Sequence, residues 1–487
     1  GEVTRTLTVA PHRNPTPAPR PVQEVLSGAC YYGVRPLNDR FIDEKLGNLF
    51  VLWNEDTGYA AKEPYLKRLA ANGITFLGMY RSGRDDAATL RNFQQVMNGN
   101  YLENNIGEYA SYLYQPRSVA EMHHMPVDGT DLRIERDRFV NHFINRRVRT
   151  EHKLYNYIFS TSGSTLADYE LAGGIDFMCS ELYAVGAANL NFATAEMRGA
   201  ARKWRPEYWG GWLAHDWYTQ PVSYASRQKY NLLKVGLYTQ YLMGTSVIVL
   251  ESGATSTQAH RFTAEACGIP QGYDDHAPVE YRRTLRDFYR FIRENPRDKG
   301  TPETNIALLR GSCDSWVGCY LDTFPVWAQH KTARQRPEWY YGDPELTWPA
   351  AMEVLTPVLN DAVKPYPNYW AGGTPYGQID VVGVDEESRL ADLTRYRFAA
   401  FAGWNTMTPE LFAVLRAYVE QGGTLLLALP HLSTRTDREY LDYRVSDLIG
   451  GGDLSGLIDL RITGFDSAGP VSLAAAEVGK EVEILSR

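Results

Sequence analysis

Short apolar runs alternate with amphipathic stretches along the first half of the chain, a pattern typical of parallel α/β architecture. The candidate strands are residues 29–34, 49–53, 74–80, 101–109, 155–160, 175–182, 208–217 and 246–251. Helical patterns lie between most of them, and the clearest, "EPYLKRLAANG", ends in a glycine suited to a helix C-cap. Eight strands in about 250 residues predict an N-terminal (β/α)₈ TIM barrel.

One strand in this count is open to a second interpretation. The stretch 35–48 is a poor first helix, and 49–53 could be a loop. In that case "NIALLR" at 305–310 would supply the eighth barrel strand. We favour the first count, because "NIALLR" fits a second domain better.

The second domain has its own order of elements. Strand 305–311 is followed by a helix around "WPAAMEVLTPVLNDAV", by strands 379–384 and 397–403, by the helix "PELFAVLRAYVEQGG" and by strand 424–430. Two glycines end the last helix. This order predicts a flavodoxin-like α/β domain, half of a doubly wound sheet.

The segment "YRFAAFAGWNTMTPELFAVLRAYVEQGGTLLLALP" carries a family resemblance, most specific in "LRAYVEQGGTLLL". Within residues 304–430 the chain resembles the class I glutamine-amidotransferase-like domain of glycoside hydrolase family 42 β-galactosidases, where this domain also follows a barrel. The resemblance implies the hydrolase class and a non-catalytic second domain that commonly mediates oligomer contacts. In agreement, no cysteine follows Cys319 to act as an amidotransferase nucleophile. The barrel lacks that family's motifs, so β-galactosidase activity is not implied.

The domain boundaries follow from these elements. Residues 11–21 contain five prolines, which predicts an extended leader over 1–28. The barrel is expected over 29–300 and the amidotransferase-like domain over 301–450. A C-terminal β-rich segment, with "LRITGF" and "EVEILSR", is expected over 451–487.

Composition and motifs restrict the classes of partner and cofactor that the protein is expected to bind. A net charge of −8 argues against a nucleic-acid surface, and no apolar run approaches the length of a membrane span. Five cysteines without CxxC spacing indicate neither a disulfide framework nor a zinc site, although Cys313 and Cys319 could pair. We expect no metal and no cofactor, since P-loop, GxGxxG, GxSxG and HExxH motifs are missing.

Acidic residues stand where predicted barrel strands end, which is where active sites of this fold gather. Glu108 ends "NNIGE", Glu181 ends "DFMCSE" and Glu251 follows "VIVL". Glycoside hydrolysis needs two carboxyl groups about 5–10 Å apart. Each glutamate could equally be the first polar residue of a loop. The three are therefore candidate catalytic residues, with the choice of pair left open.

Further residues are candidates for binding a sugar. "WGGWLAHDWY" contributes Trp212, His215, Asp216 and Trp217, for which a Trp-rich barrel core is the alternative. Tyr183 beside Glu181 and Asn105 before Glu108 are polar or aromatic partners near the acids. "WNEDTGY" at 53–59 is expected to be a loop lining the cleft.

Two basic features have less specific interpretations. Arg81 could bind the carboxylate or sulfate of an acidic sugar, although a surface arginine is the simpler interpretation. The basic helix face "RGAARKW" at 198–204 is expected to be solvated.

The sequence therefore predicts a glycoside hydrolase acting on an oligo- or polysaccharide. A non-catalytic glycan-binding protein on a decayed barrel and a polysaccharide lyase are the alternatives. A homo-oligomer formed through the second domain is expected. The N-terminus lacks a signal-peptide pattern, but "GEVTRTL" can be a mature start, and secretion or export to the periplasm is preferred over the cytoplasm.

Overall fold

The computed structural model describes most of the predicted barrel and about half of the predicted second domain. The described residues are 25–32, 39–53, 59–79, 81, 85–109, 131–163, 166–182, 190–215, 222–251, 253, 276–297, 302–313, 377–401, 407–436, 444–464, 472–474 and 481–483.

Eight parallel strands close into a barrel in sequence order, with the eighth pairing with the first. They are β1 (Leu26–Tyr32), β2 (Leu49–Trp53), β3 (Thr75–Met79), β4 (Tyr101–Asn105), β5 (Ile158–Ser162), β6 (Phe177–Leu182), β7 (Trp209–Leu213) and β8 (Val247–Leu250). The predicted TIM barrel is confirmed, including the uncertain strand at 49–53. Because β1 begins at Leu26, the predicted leader over 1–28 extends too far.

Helices cover the outside of the barrel. They are α1 (Asp39–Asp43), α2 (Tyr59–Ala71), α3 (Ala87–Met97), α4 (Leu132–Asp137), α5 (Asn145–Glu151), α6 (Ala167–Ala172), α7 (Leu190–Trp204), α8 (Arg227–Leu242) and α9 (His276–Glu294). A π-helical stretch, Arg138–Ile144, joins α4 to α5. Local capping explains some boundaries: Gly73 after α2 has φ +67°, and the Asp86 carboxylate accepts from Thr89 N at the start of α3.

Strand side chains alternate between two buried clusters. Inward residues such as Leu77, Phe159 and Val249 fill the barrel, and outward residues such as Phe50 and Ile248 pack under the helices. Both faces of the strands are therefore apolar, as expected for a parallel sheet covered on each side.

A second parallel sheet follows, with strand order β10-β9-β11-β12. Its elements are β9 (Ile306–Gly311), β10 (Ile379–Val384), α10 (Leu390–Leu393), β11 (Phe398–Phe401), α11 (Pro409–Glu420) and β12 (Thr424–Leu427). "NIALLR" belongs to this sheet, and the predicted second α/β domain is confirmed. The helix predicted around "WPAAMEVLTPVLNDAV" lies outside the described residues.

The two domains meet along α7, which packs against β10. A Cβ on Gly199 would lie 1.7 Å from the Val381 carbonyl oxygen, so only glycine allows this approach. Arg198 is fully buried there and donates from Nε to Asp380 Oδ1 at 2.6 Å. The expectation that "RGAARKW" is a solvated face is therefore wrong.

The C-terminal region divides into two parts. Leu448 and Leu454 pack into the core of the second domain, so that core continues past residue 450. β13 (Ser472–Ala474) and β14 (Glu481–Glu483) form an antiparallel pair. Among the described helices, none has the length and apolar character that a membrane span requires.

Candidate active site at the barrel mouth

The inward side chains of the barrel form layers, to which alternate strands contribute. Cys30 on β1 and Met79 on β3 meet in one layer, with Sγ and Sδ 3.7 Å apart. The ladder aligns Cys30 with Val51 and Val51 with Leu77, two residues before Met79. Within one layer, the member on the next-but-one strand is therefore the residue two positions after the one that the ladder aligns.

The same step relates two of the predicted acids. Glu181 on β6 aligns with Trp212 on β7, which aligns with Val249 on β8. Two residues past Val249 is Glu251, whose amide donates to the Leu213 carbonyl at 3.1 Å and so continues the ladder. Glu181 and Glu251 are thus neighbours in one layer, at the carboxyl end of the barrel.

Trp53 belongs to this same layer. Continuing from β8, Glu251 follows the pair Leu250–Ala29 and so stands opposite Cys30 in the ladder, and Cys30 aligns with Val51 on β2. Two residues further is Trp53, which is half-buried and packs against the inner cluster. The mouth layer therefore contains one large aromatic ring and two carboxyl groups.

The fourth quadrant of the mouth layer, over β4, receives no side chain from that strand. β4 carries a bulge, because Phe76 and Gly78 on β3 align with Tyr101 and Asn104. Its last residue, Asn105, aligns with Met79 and Phe159, both inward, and is level with Cys179, below the layer of Cys30, Met79 and Trp212. Within the described part of β4 and its turn, no side chain joins the mouth layer.

Asn105 is a fully buried amide in the barrel interior. Its Oδ1 accepts from Gly107 N at 2.7 Å, where the chain turns with φ +69°. No described residue accepts a hydrogen bond from its Nδ2. A buried donor of this kind is costly unless a ligand or water accepts from it.

Glu108 follows this turn and is half-buried at the rim of the barrel. It lies three residues beyond the end of β4. The predicted strand at 101–109 had included it. The rim above Asn105 therefore carries a third acid outside the layer of Glu181 and Glu251.

The two layer glutamates are both buried, at 5% and 8% exposure. Burial raises the pKa of the Cys30 thiol well above its usual value, and the nearby charge of Glu251 raises it further. The Glu251 carboxyl group therefore lies close above the layer of Cys30 and Met79, in surroundings of low polarity.

Two predicted binding residues lie away from the mouth. Arg81 is buried, not on the surface, and its Nε donates to Asp85 Oδ2 at 2.9 Å on the helix side of the barrel. His215 is fully buried, with its ring 6.1 Å from that of Tyr281 on α9. Burial, and then the charge of Lys229, lower the pKa of His215 well below its usual value.

Trp212 is part of the floor of the site. It is 1% exposed and lies in the layer below the glutamates, with its ring 6.1 Å from that of Phe159. The core interpretation therefore describes Trp212 better than an exposed stacking ring. Tyr183, Asp216 and Trp217 lie outside the described residues.

Trp53 is the first residue of the segment "WNEDTGY" that was expected to line the cleft, but it was not predicted individually as a binding residue. It stands at the end of the apolar run "LFVL", the same signal that marked Glu181 and Glu251.

Within the described residues, no group of three histidine, cysteine or acidic side chains could hold a metal ion. Cys30, Cys179 and Cys313 are buried free thiols. The described residues of the barrel mouth contribute carboxyl groups, an amide and aromatic rings.

Comparison with solved structures shows the fold that the chain shares. A polyextremophilic β-galactosidase from the Antarctic haloarchaeon Halorubrum lacusprofundi superimposes with a TM-score of 0.50 at 9% identity, over 86% of this chain and 75% of that one. A family 42 β-galactosidase from G. stearothermophilus gives 0.43 at 11% identity, over 87% and 73%. An α-L-fucosidase from Paenibacillus thiaminolyticus gives 0.43 at 11% identity, over 84% and 66%.

The likeness to the haloarchaeal β-galactosidase is thus structural and extends over 86% of the chain. No protein-family model matches the sequence, and no curated protein matches it. At such low identity the likeness establishes the glycosidase-like fold alone.

Proposed function

We propose that this protein is a glycoside hydrolase whose catalytic carboxyl groups are Glu181 and Glu251. The observation that carries the proposal is their position as neighbours in one layer at the barrel mouth. One carboxyl group would protonate the leaving oxygen, and the other would attack the anomeric carbon or activate water. Glu108 at the rim is the alternative member of the pair.

The surroundings of the two glutamates favour this chemistry. The floor beneath them contains Cys30, Met79 and Trp212, which exclude water from one side. Positive charge develops on the sugar ring in the transition state of glycoside hydrolysis. Carboxylates fixed in a site of low polarity stabilise that charge more strongly than water does.

The proposal is tested with variants that keep side-chain shape. Glu181→Gln and Glu251→Gln should each lower kcat by about 10²- to 10⁴-fold on any glycan that the protein cleaves, since each removes a proton-transfer or nucleophilic group. Activity is measured on a panel of p-nitrophenyl glycosides and oligosaccharides. Glu103→Gln is the matched control, because Glu103 is equally buried on β4 but faces Gln94 and Asn156 on the helix side.

Three outcomes would contradict this assignment. Full turnover by both variants would remove Glu181 and Glu251 from the mechanism. Glycans that bind but are never cleaved would favour the glycan-binding alternative. An unsaturated product that absorbs in the near ultraviolet would indicate a lyase.

The second domain is proposed to serve assembly rather than catalysis. This part of the proposal rests on the family resemblance of residues 304–430. Light scattering of the full chain, with a mass above one subunit, would support it, and a monomer at micromolar concentration would contradict it.

A further inference from the structure

The two edges of the second sheet have different surroundings. At the β10 edge, the Ile379 carbonyl accepts from Arg198 Nη2 at 2.6 Å and the Gly383 carbonyl accepts from Lys203 Nζ at 2.9 Å. Between these two contacts, Gly199 lies against the β10 backbone. The barrel helix α7 therefore occupies the outward carbonyl groups of β10, and no further strand can pair there.

β12 forms the opposite edge of the sheet, and its outer side is unpaired. The amides of Thr424 and Ala428 donate to carbonyl groups on the β11 side at 2.9 and 2.8 Å. The backbone groups of Leu425 and Leu427 point the other way, because this direction alternates along a strand. Among the described residues, no strand lies on that side of β12. Two N–H and two C=O groups are therefore available to a partner strand.

The side chains of this edge are apolar. Leu426 is 54% exposed and Leu429 is 39% exposed, while residues 421–434 contain no aspartate, glutamate, lysine or arginine. Soluble proteins usually protect an exposed edge strand with a charged side chain, a proline or a bulge, and Thr424–Leu427 has none of these. A partner strand must be uncharged as well, because a charge opposite these leucines would lose water without gaining a counter-charge.

We propose that β12 pairs with β12 of a second copy of this chain, antiparallel and about a two-fold axis at Leu426. Leu425 of one copy and Leu427 of the other then exchange both backbone hydrogen bonds, and the same pair recurs on the other side of the axis. Leu426 lies opposite its own counterpart, with Cα atoms about 4.5 Å apart. The uncharged segment 421–434 is itself the kind of strand that this edge requires.

The covered β10 edge selects this partner and limits the assembly to two copies. Pairing of β12 with β10 of another copy would be head-to-tail and would build an open filament. The contacts of Arg198 and Lys203 with β10 prevent that arrangement. Within the described strands of the sheet, the β12 edge alone is open, so two four-stranded sheets join into one closed dimer.

The inference rests on the proposed role of the second domain in assembly and deepens it, because it names the partner, the surface and the number of copies. Pairing over a four-residue strand is a small interface compared with those of permanent dimers. We therefore expect a dimer that dissociates in the micromolar range.

The oligomeric state of the full chain is measured by sedimentation velocity across micromolar concentrations. Leu426→Lys places two ammonium groups opposite each other at the axis, and we expect it to raise the dimer dissociation constant at least about tenfold. Leu242→Lys is the matched control, since Leu242 is 64% exposed at the end of α8 on the barrel. Its dissociation constant should equal that of the wild type. Both variants are checked for wild-type far-ultraviolet spectra and unfolding temperatures.

A pair of opposite charges then tests the register. Leu426→Glu alone should dissociate as Leu426→Lys does, whereas an equimolar mixture of the two variants should form heterodimers, because opposite charges face each other across the axis. The recovered dimer should weaken as salt is added. Loss of folding in either variant would not produce such a recovery.

The outcomes separate this inference from the wider proposal. A wild type that is monomeric throughout the range would overturn both the pairing and the role in assembly. An oligomer that persists in Leu426→Lys would leave the role in assembly standing and overturn pairing at β12. Oligomers that grow beyond two copies, or a mixture without heterodimers, would also overturn the pairing. The hydrolase assignment is unaffected by any of these results.

Discussion

Glu170 is a carboxyl group held wholly inside the protein, between α6 and the helix side of β5. Its oxygens accept from Ser160 Oγ at 2.6 Å and from Ser162 Oγ at 2.7 Å. Burial raises its pKa to about 7, against the lowering effect of the two hydroxyl groups. This group therefore changes charge near neutral pH although it is far from solvent.

Because of Glu170, the free energy of unfolding should fall as the pH rises from about 4.5 to about 7. Its pKa is about 7 in the folded protein and near 4.5 in the unfolded chain, so the native state binds the extra proton between these values. Glu170→Gln should remove this dependence and stabilise the protein at pH 8 by roughly 3 kcal/mol relative to the wild type. Urea denaturation at pH 5, 6, 7 and 8 measures the difference.

The control for this prediction is Glu63→Gln, which changes an exposed pair with Lys67. Its stability difference from the wild type should stay nearly constant with pH. Equal pH slopes in the wild type and Glu170→Gln would contradict the assignment of the proton to Glu170.

Single residues were predicted best where strand alternation alone decides their direction. Glu181 and Glu251 continue the inward positions of β6 and β8, so the sequence was enough to propose them. Arg81 and His215 each stand two residues after a strand, and their directions depend on partners in the helical layer. The Tyr281 ring beside His215 comes from α9, and nothing local in "WLAHDW" indicates it.

At the scale of elements, the approach of α7 to β10 depends on one missing side chain. Gly199 leaves room for the Val381 carbonyl, so helix and strand come closer than any alanine would allow. Arg198 can then reach past β10's backbone, and its Nη2 donates to the Ile379 carbonyl at 2.6 Å.

Gly199→Ala should therefore destabilise the protein by about 3 kcal/mol, because the helix must move away from β10 and loosen its buried polar contacts. Thermal and urea unfolding measure the loss. Gly464→Ala is the matched control, since nothing lies within 4 Å of a Cβ placed there. Equal stability of the two variants would show that the close approach is not a constraint.

The elements themselves were largely predictable, because each strand is a short apolar run between polar turns. Whether water or another domain covers the basic face of α7 could not be predicted. The partner of Arg198 is Asp380, which lies 182 residues further along the chain. The charge pattern of a helix is the same whether water or another domain covers it.

At the scale of the whole molecule, Asp380 links the two domains. It is fully buried and accepts from Arg198 and Arg202 of the barrel, and from Tyr396 Oη at 2.7 Å and Thr304 Oγ1 at 3.0 Å. Burial, partly offset by the charge of Asp380, lowers the pKa of Arg198. Both domains therefore share one buried charge network.

Asp380→Asn should cost roughly 3–5 kcal/mol, because Arg198 would remain buried without its counter-charge. We expect both sheets of the wild type to unfold in one transition. In the variant, the amides of both sheets should lose protection against hydrogen exchange together. Calorimetry and amide hydrogen exchange measure this. Two separate transitions in the wild type, or an unaffected barrel in the variant, would contradict the shared network.

The layers of the mouth are a property of the closed barrel and could not be predicted from the sequence. Alternation indicates which side chains face inward, but the level at which they meet depends on strand registers. The bulge in β4 is a further case, because the apolar and polar order of "YLENN" does not reveal which residue is extra.

That bulge bears on how barrels of this kind change during evolution. Leu102, before it, keeps its place in the packed interior, while Asn105, after it, faces inward from a register shifted by one residue. One inserted residue can thus change which side chains of a strand face inward near its carboxyl end and leave the packing beneath untouched. Divergence of substrate preference by such small insertions would preserve the architecture while sequence identity is lost.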